Sequence, residues 1–270
     1  MNEKRDRMYA VDEFDRLAAG NSPLHRYDPR AKLLVVLFAA GIAASYSRYA
    51  VAEIVPLLLL PIVWLSLSKV PLRFVLGKLL LALPFVFFMA IFNPIFDRAP
   101  VMDFGVLSVS GGWLSFTSIM LRFLLSISLI ILLVACTGFN TLCATLLRLH
   151  IPKIFVVQLL LLYRYIFLLA DEVQRVRQAY SLRALGDRSI ALPVVGSLLG
   201  QLLLRVMDRG QRIHQAMLCR GFVGILSVRR DFHWCKRDTW FLLGWTLWLV
   251  LARTVNITDQ LGHFLLKGLT

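Results

Sequence analysis

Five stretches of this chain approach the roughly 20 consecutive apolar residues that carry a helix across a bilayer. They are residues 33–47, 50–68, 79–96, 119–139 and 239–255. Of the 270 residues, 58% are hydrophobic and the mean hydropathy is +0.70, above the apolar share of soluble domains. These stretches predict an all-α integral membrane protein with about five transmembrane helices. Trp240, Trp245 and Trp248 in the last stretch suit an interfacial aromatic belt. Two further apolar runs, 154–170 and 190–204, pass without a break into charged helical sequence. They read as the feet of long helices lying against the membrane.

Charge placement orients the spans, because Lys and Arg accumulate on the cytoplasmic side. Residues 1–32 hold seven basic groups, and the link after the second stretch holds Lys69, Arg73 and Lys78. The link 97–112 has Arg98 against Asp97 and Asp103. Residues 148–237 carry fifteen of the thirty Lys and Arg against five acids, so this block is expected inside the cell. The predicted organisation is a surface helix and four spans over 1–139, a cytoplasmic domain of two long helices over 140–237, and a last span with its tail over 238–270. An odd number of spans places the N-terminus inside and the C-terminus outside. A net charge of +14 also suits nucleic acid. In a chain this apolar, inside-positive bias and anionic lipid account for it, so no nucleic-acid partner is expected.

No cleavable signal peptide is visible; Phe14, Leu17 and Ala18 are spaced as on a short membrane-surface helix. In SPLHRYDPRAKLL, Asp28 can accept free amide protons of a helix start and Pro29 fits its first turn, so the first span begins there with Arg30 and Lys32 at the cytoplasmic face. Cys136, Cys143, Cys219 and Cys235 form no CxxC pair and read as reduced thiols.

Catalytic chemistry is hard to find. There is no GxxxxGK[ST] loop for ATP, and His25, His150, His214, His233 and His263 lack metal-ligand spacing. His233 and Cys235 lack the third and fourth ligands a closed zinc site requires. The sequon at Asn256 reads as chance. Neither a metal site, a catalytic residue nor a cofactor is expected, and the chain reads as no enzyme. Glu53 and Arg122 fall inside spans, where ionisable residues are functional candidates by default. Both also have a plain reading, since each can reach headgroups.

The informative feature is a repeat. Residues 171–185 (DEVQRVRQAYSLRAL) and 208–222 (DRGQRIHQAMLCRGF) are 37 positions apart and identical at six of fifteen positions. Residues 154–183 predict one helix, broken at Gly186 and Asp187. Ser189 and Pro193 begin a second, ending at Arg220 with Gly221 as a stop. Asp171, Gln174, Arg175 and Gln178 form a polar stripe on the first, repeated by Asp208, Gln211, Arg212 and Gln215 on the second. The spacing predicts ion pairs Asp171–Arg175 and Asp208–Arg212. Arg183 and Arg220 lie about 120° around from those acids at 100° per residue and face something else. One Arg at a helix end complements the macrodipole; a repeated register of Gln, Ala and Arg suggests two equivalent acceptors, as on a dimeric partner.

The paired arginine motifs, the DPRAKLL run and the order of spans, long basic helices and last span resemble the T component of energy-coupling factor (ECF) importers. The resemblance covers nearly the whole chain and is strongest to the cobalt-type, CbiQ-like branch, which the nickel type also resembles. It implies two coupling helices whose tips dock in grooves of two ATP-binding-cassette ATPases, and a separate substrate-capturing membrane subunit. The docking motifs become Leu182-Arg183-Ala184 and Cys219-Arg220-Gly221. Leu182 and Cys219 stand where the family has a leading Ala, and Ala184 follows the first Arg. The rival classes are a nickel or vitamin importer subunit, a membrane-embedded enzyme acting on a lipid or phosphorylated substrate with these arginines binding phosphate, and a self-sufficient channel or secondary transporter. The enzyme lacks a nucleophile, and the secondary transporter would need paired discontinuous spans, of which Pro56, Pro61 and Pro84 are weak signs.

Overall fold

A computed structural model describes residues 14–96, 100–104, 107–183, 192–224 and 234–254. The chain divides into two compact units, one formed by residues 1–138 with 231–270, the other by residues 139–230.

In the first unit, residues 14–18 are helical and a 3-10 turn at Pro23–Arg26 leads into α1, Pro29–Ser45. The start of α1 is built as its sequence dictates. Asp28 Oδ1 accepts the backbone N–H of Arg30 at 2.8 Å, and Pro29 occupies the first turn, where no amide donor is lost. Next comes α2, Val51–Ser68, whose register is interrupted by a 3-10 turn at Val55–Leu58. Pro56 lies in that turn and has no amide hydrogen to donate, so the helical hydrogen-bond ladder is interrupted there. Lys69 (φ 55°) ends the helix in the left-handed region. Helix α3 (Leu72–Ala90, with Pro84 inside) continues through the short α4 (Phe92–Phe96).

A two-stranded antiparallel ribbon, β1 (Pro100–Phe104) with β2 (Leu107–Ser110), fills the connection to α5, pairing Asp103 with Ser108 and Phe104 with Leu107. It is a small exception within an all-α membrane fold. Helix α5, Gly111–Thr137, is the hub of the unit, touching α1, α2, α3 and α4. Gly111, Gly112, Ser115 and Ser118 are buried at its start, small residues that let helices approach, and Leu125, Leu129 and Leu132 are buried further on. The last helix, α9 (Lys236–Thr254), packs along α1. Phe241 stacks on Tyr27 with centroids 4.3 Å apart and lies 5.9 Å from the fully buried Trp64.

The second unit holds α6 (Phe139–Arg148), α7 (Lys153–Arg183) and α8 (Leu192–Cys219). Its core is thin. Val156 and Val157 are the buried residues of α7, and among the described residues α8 has none.

Among the described residues four helical segments are long and apolar enough to cross a membrane: Val51–Ser68, Leu72–Ile95, Gly111–Thr137 and Lys153–Arg183. Three coincide with expected spans. The first expected span is a helix of 17 residues, about 25 Å long. The last opens with Lys236, Arg237 and Asp238, which dilutes its apolar length. Helix α7, read from sequence as lying against the membrane in its first half, meets the length and composition of a span.

Candidate functional site

The long helices α7 and α8 run antiparallel. Near the end of α7, Val173 and Val176 share a groove with Val195, Leu198 and Leu202 of α8; near its start, Leu161 shares one with Ile213 and Met217. Helix α7 ends at Arg183, and α8 ends at Cys219 followed by Arg220. The motif residues Leu182, Arg183, Cys219, Arg220 and Gly221 are all exposed, Leu182 by 82%. Ala184 lies outside the described residues, as do Gly186, Asp187, Ser189, His233 and Asn256. Neither Arg183 nor Arg220 has an ion-pair partner among the described residues.

The end of α8 is fixed by backbone geometry. Gly221 has φ 78°, its N–H donates to the Leu218 carbonyl at 2.9 Å, and the Phe222 N–H reaches back to the Met217 carbonyl at 3.0 Å. This is the double backbone bond of a glycine-stopped helix, so the backbone of Arg220, the capping residue just past Cys219, is held in a set geometry. Arg220 also lines a groove of about 740 Å³ with Asn140, Tyr163, Arg164 and Phe167.

The polar stripe is exposed at Asp171, Arg175, Gln178, Asp208, Gln211, Arg212 and Gln215 and half-buried at Gln174. The expected ion pairs within each stripe are not the ones formed. Arg175 pairs with Glu172 at 4.0 Å instead of with Asp171, and no Asp208–Arg212 pair is present among the described residues. Glu172 also receives Arg205 at 3.3 Å and Arg209 at 3.9 Å from α8, its side chain only 17% exposed. A shift of one residue rotates a side chain by about 100°, and that rotation turns position 172 toward α8. Sequence reasoning missed Glu172 because it compared the repeats for identity, and 172 is a position where they differ.

The two intramembrane candidates have structural partners. Arg122 donates to the carbonyls of Tyr46 and Ser47 just past the end of α1, and Glu53 pairs with Arg253 at 3.6 Å. The Arg253 guanidinium also lies 4.5 Å from the Tyr46 ring centroid. At the opposite end of α1, Lys32 is 1% exposed instead of facing solvent; its Nζ donates to the Cys136 carbonyl at 3.4 Å. That carbonyl belongs to the last turn of α5, where the helix dipole attracts a cation. Among the described residues no group of three or more His, Cys, Asp or Glu side chains is placed to hold a metal ion.

The fold is that of an all-helical, multi-pass membrane protein. A family model described as cobalt transport protein, CbiQ, matches residues 20–234, and the chain belongs to that family. It is a membrane component of cobalt transport. A relative, "Cobalt transport protein CbiQ" of Salmonella typhimurium (strain LT2), is 31% identical over 170 residues, which cover 57% of this chain and 71% of the relative.

Proposed function

We propose that this chain is the coupling subunit of an ATP-driven, ECF-type importer of cobalt ions in the cytoplasmic membrane. Its two long helices lie on the cytoplasmic side, and Arg183 and Arg220 dock one each into equivalent grooves of two ATP-binding-cassette ATPases. Closure and separation of the ATPases move the helices, which transmit the stroke to a separate membrane subunit that captures the ion. The chain itself catalyses nothing.

The observation that carries this reading is the repeat read on the fold: two antiparallel helices, with an exposed Arg as the last residue of one (Arg183) and immediately after the last residue of the other (Arg220). The two stand at the same register of the repeat and have no ion-pair partner among the described residues. A guanidinium offers forked, charge-assisted hydrogen bonds to carboxylates or carbonyls, which hold direction as well as contact through a moving cycle. Dipole complementation alone asks for no second copy.

The test is co-purification and uptake with Arg183→Glu and Arg220→Glu, each placed in an otherwise unchanged chain. Each should reduce ATPase recovery and cobalt uptake at least tenfold while membrane abundance stays near normal, since a buried charge-assisted contact turned repulsive is worth roughly 1.5–3 kcal/mol or more. Single cysteines at 183 and 220 should cross-link to the same groove position of the ATPase. Cross-links to unrelated surfaces, or to one tip alone, overturn the reading.

A further inference from the structure

Positions 172 and 209 are equivalent in the repeat, 37 residues apart, and they carry Glu and Arg. They are also partners in space: Arg209 Nη1 lies 3.9 Å from Glu172 Oε2. When two like segments cross antiparallel, the equivalent residues that meet are those nearest the two-fold axis relating them. Two identical charges there would repel; this chain has opposite ones.

The crossing has little else to hold it. Helix α8 has no buried residue among those described, and α7 has two, both near its start. An open groove of about 190 Å³ is lined by Glu172, Arg205 and Arg209 themselves, and further grooves of about 280 Å³ toward the start of α7 and about 140 Å³ toward its end lie between the helices. Glu172 draws in Arg175 of its own helix and Arg205 and Arg209 of the other, so one carboxylate gathers three guanidinium groups. Its own exposure of 17% against 42–72% for the arginines places it on the inside of the cluster.

The lever arms are equal. Arg183 lies eleven residues beyond Glu172 and Arg220 eleven beyond Arg209. At 1.5 Å per residue each tip is about 16 Å from the crossing, on opposite sides, about 33 Å apart along the pair.

We propose that Glu172 is the positioning residue of the coupling helices: an ionic pin on their pseudo-two-fold axis that fixes how far Arg183 and Arg220 stand apart. The pin tolerates rotation, because a carboxylate surrounded by three guanidinium groups can exchange partners as the crossing angle changes, where an interlocked apolar seam resists. Its value as a pivot rests on the coupling reading above; its existence does not.

The test uses the full chain in nanodiscs, without any ATPase. Spin labels are placed at Leu182→Cys and at native Cys219, themselves equivalent in the repeat and exposed, with Cys235→Ser as background. Pulsed dipolar spectroscopy should give one narrow distance distribution in the parent. Glu172→Gln, which keeps shape and removes charge, should widen it by about twofold, since one-sided loss leaves like charges facing one another. The exchange Glu172→Arg with Arg209→Glu should restore the narrow distribution, because Arg212 then stands to residue 209 as Arg175 stood to residue 172. Arg205→Gln with Arg209→Gln reads the other half of the pin and should also widen it, which keeps the test decisive if Glu172→Gln fails to accumulate. An unchanged width in the neutralised variants, or an exchange variant as broad as Glu172→Gln, overturns the proposal. Loss of ATPase binding at the arginine tips is read separately, so the pin and the lever fail on different measurements.

Discussion

The backbone N–H of Asp28 donates to Oδ1 of Asp238 at 3.0 Å, although 210 residues separate them. The other carboxylate oxygen, Oδ2, accepts the N–H of Cys235 at 2.9 Å, and Asp238 is 2% exposed. One side chain thus ties the start of α1 to the start of α9. Around it, Arg237 donates to the Arg26 carbonyl at 2.7 Å and lies over the Tyr27 ring.

Removing that carboxylate takes the acceptor from two amide donors. Asp238→Ala should destabilise the chain by about 1–3 kcal/mol, chiefly because the buried Asp28 donor is left unpaired while the exposed Cys235 amide can turn to water. At about 2–4 °C per kcal/mol, that corresponds to a fall of about 2–12 °C in apparent melting temperature, read by size-exclusion fluorescence in detergent. Asp238→Asn keeps one oxygen acceptor and should cost less. Equal melting of Asp238→Ala and the parent would show that the tie is incidental.

Two glycines with similar backbones should respond differently. Gly138 (φ 76°) and Gly221 (φ 78°) are both left-handed. A Cβ on Gly221 meets nothing within 4 Å, whereas one on Gly138 comes 3.1 Å from the Cβ of Ala18. Gly221→Ala should cost about 1–2 kcal/mol from backbone strain alone, and Gly138→Ala more, by heat denaturation of each variant. The reverse order would contradict the packing of residue 18 against the end of α5.

The cysteines should divide by position. Cys143 is buried, and burial pushes its thiol up to about 11, so at neutral pH it carries almost no thiolate. Cys219 and Cys235 are exposed. A water-soluble disulfide reagent should titrate two thiols in the intact detergent-solubilised chain and four after denaturation. If the second unit faces the cytoplasm, Cys219 should be protected in whole cells and reactive in inverted vesicles, and its labelling from outside would refute that orientation.

His25 predicts a pH dependence. Its Nε2 hydrogen-bonds to the Leu17 carbonyl at 2.9 Å and its Nδ1 lies 2.6 Å from Ser22 Oγ, an arrangement that suits the neutral ring. Burial, aided by the nearby Lys32 cation, outweighs the Leu17 bond and holds the ring below its ordinary value of 6.5. The unfolded chain therefore binds the proton more readily. This contribution is full above pH 6.5 and is lost as pH falls through and below it. The melting temperature of the parent should drop between about pH 7 and pH 5, and His25→Gln should show a shallower drop, both read against the same buffers. Identical slopes would remove His25 from the account.

Local signals survived the passage from sequence to structure, and distant ones did not. The Asp28-Pro29 start of α1 and the glycine stop at Gly221 are decided within a few residues of chain, and each formed as expected. The long helix expected over 154–183 runs from Lys153 to Arg183 for the same reason. Lys32, Glu53 and Arg122 have partners 104, 200 and about 75 residues away, at Cys136, Arg253 and the Tyr46–Ser47 carbonyls, which no local pattern announces. The repeat led to Arg183 and Arg220 because identity marks what is done twice. It hid Glu172 because a self-crossing needs its two halves to differ.

The first unit is discontinuous: residues 139–230 are inserted between α5 and α9. During synthesis the first spans therefore wait, incomplete, while the whole second unit is made. Asp28 and Tyr27 gain their partners Asp238 and Phe241 only once the last described helix has left the ribosome. A chain stalled before residue 236 already carries both arginine tips but leaves uncovered the seam along α1 that the last described helix fills.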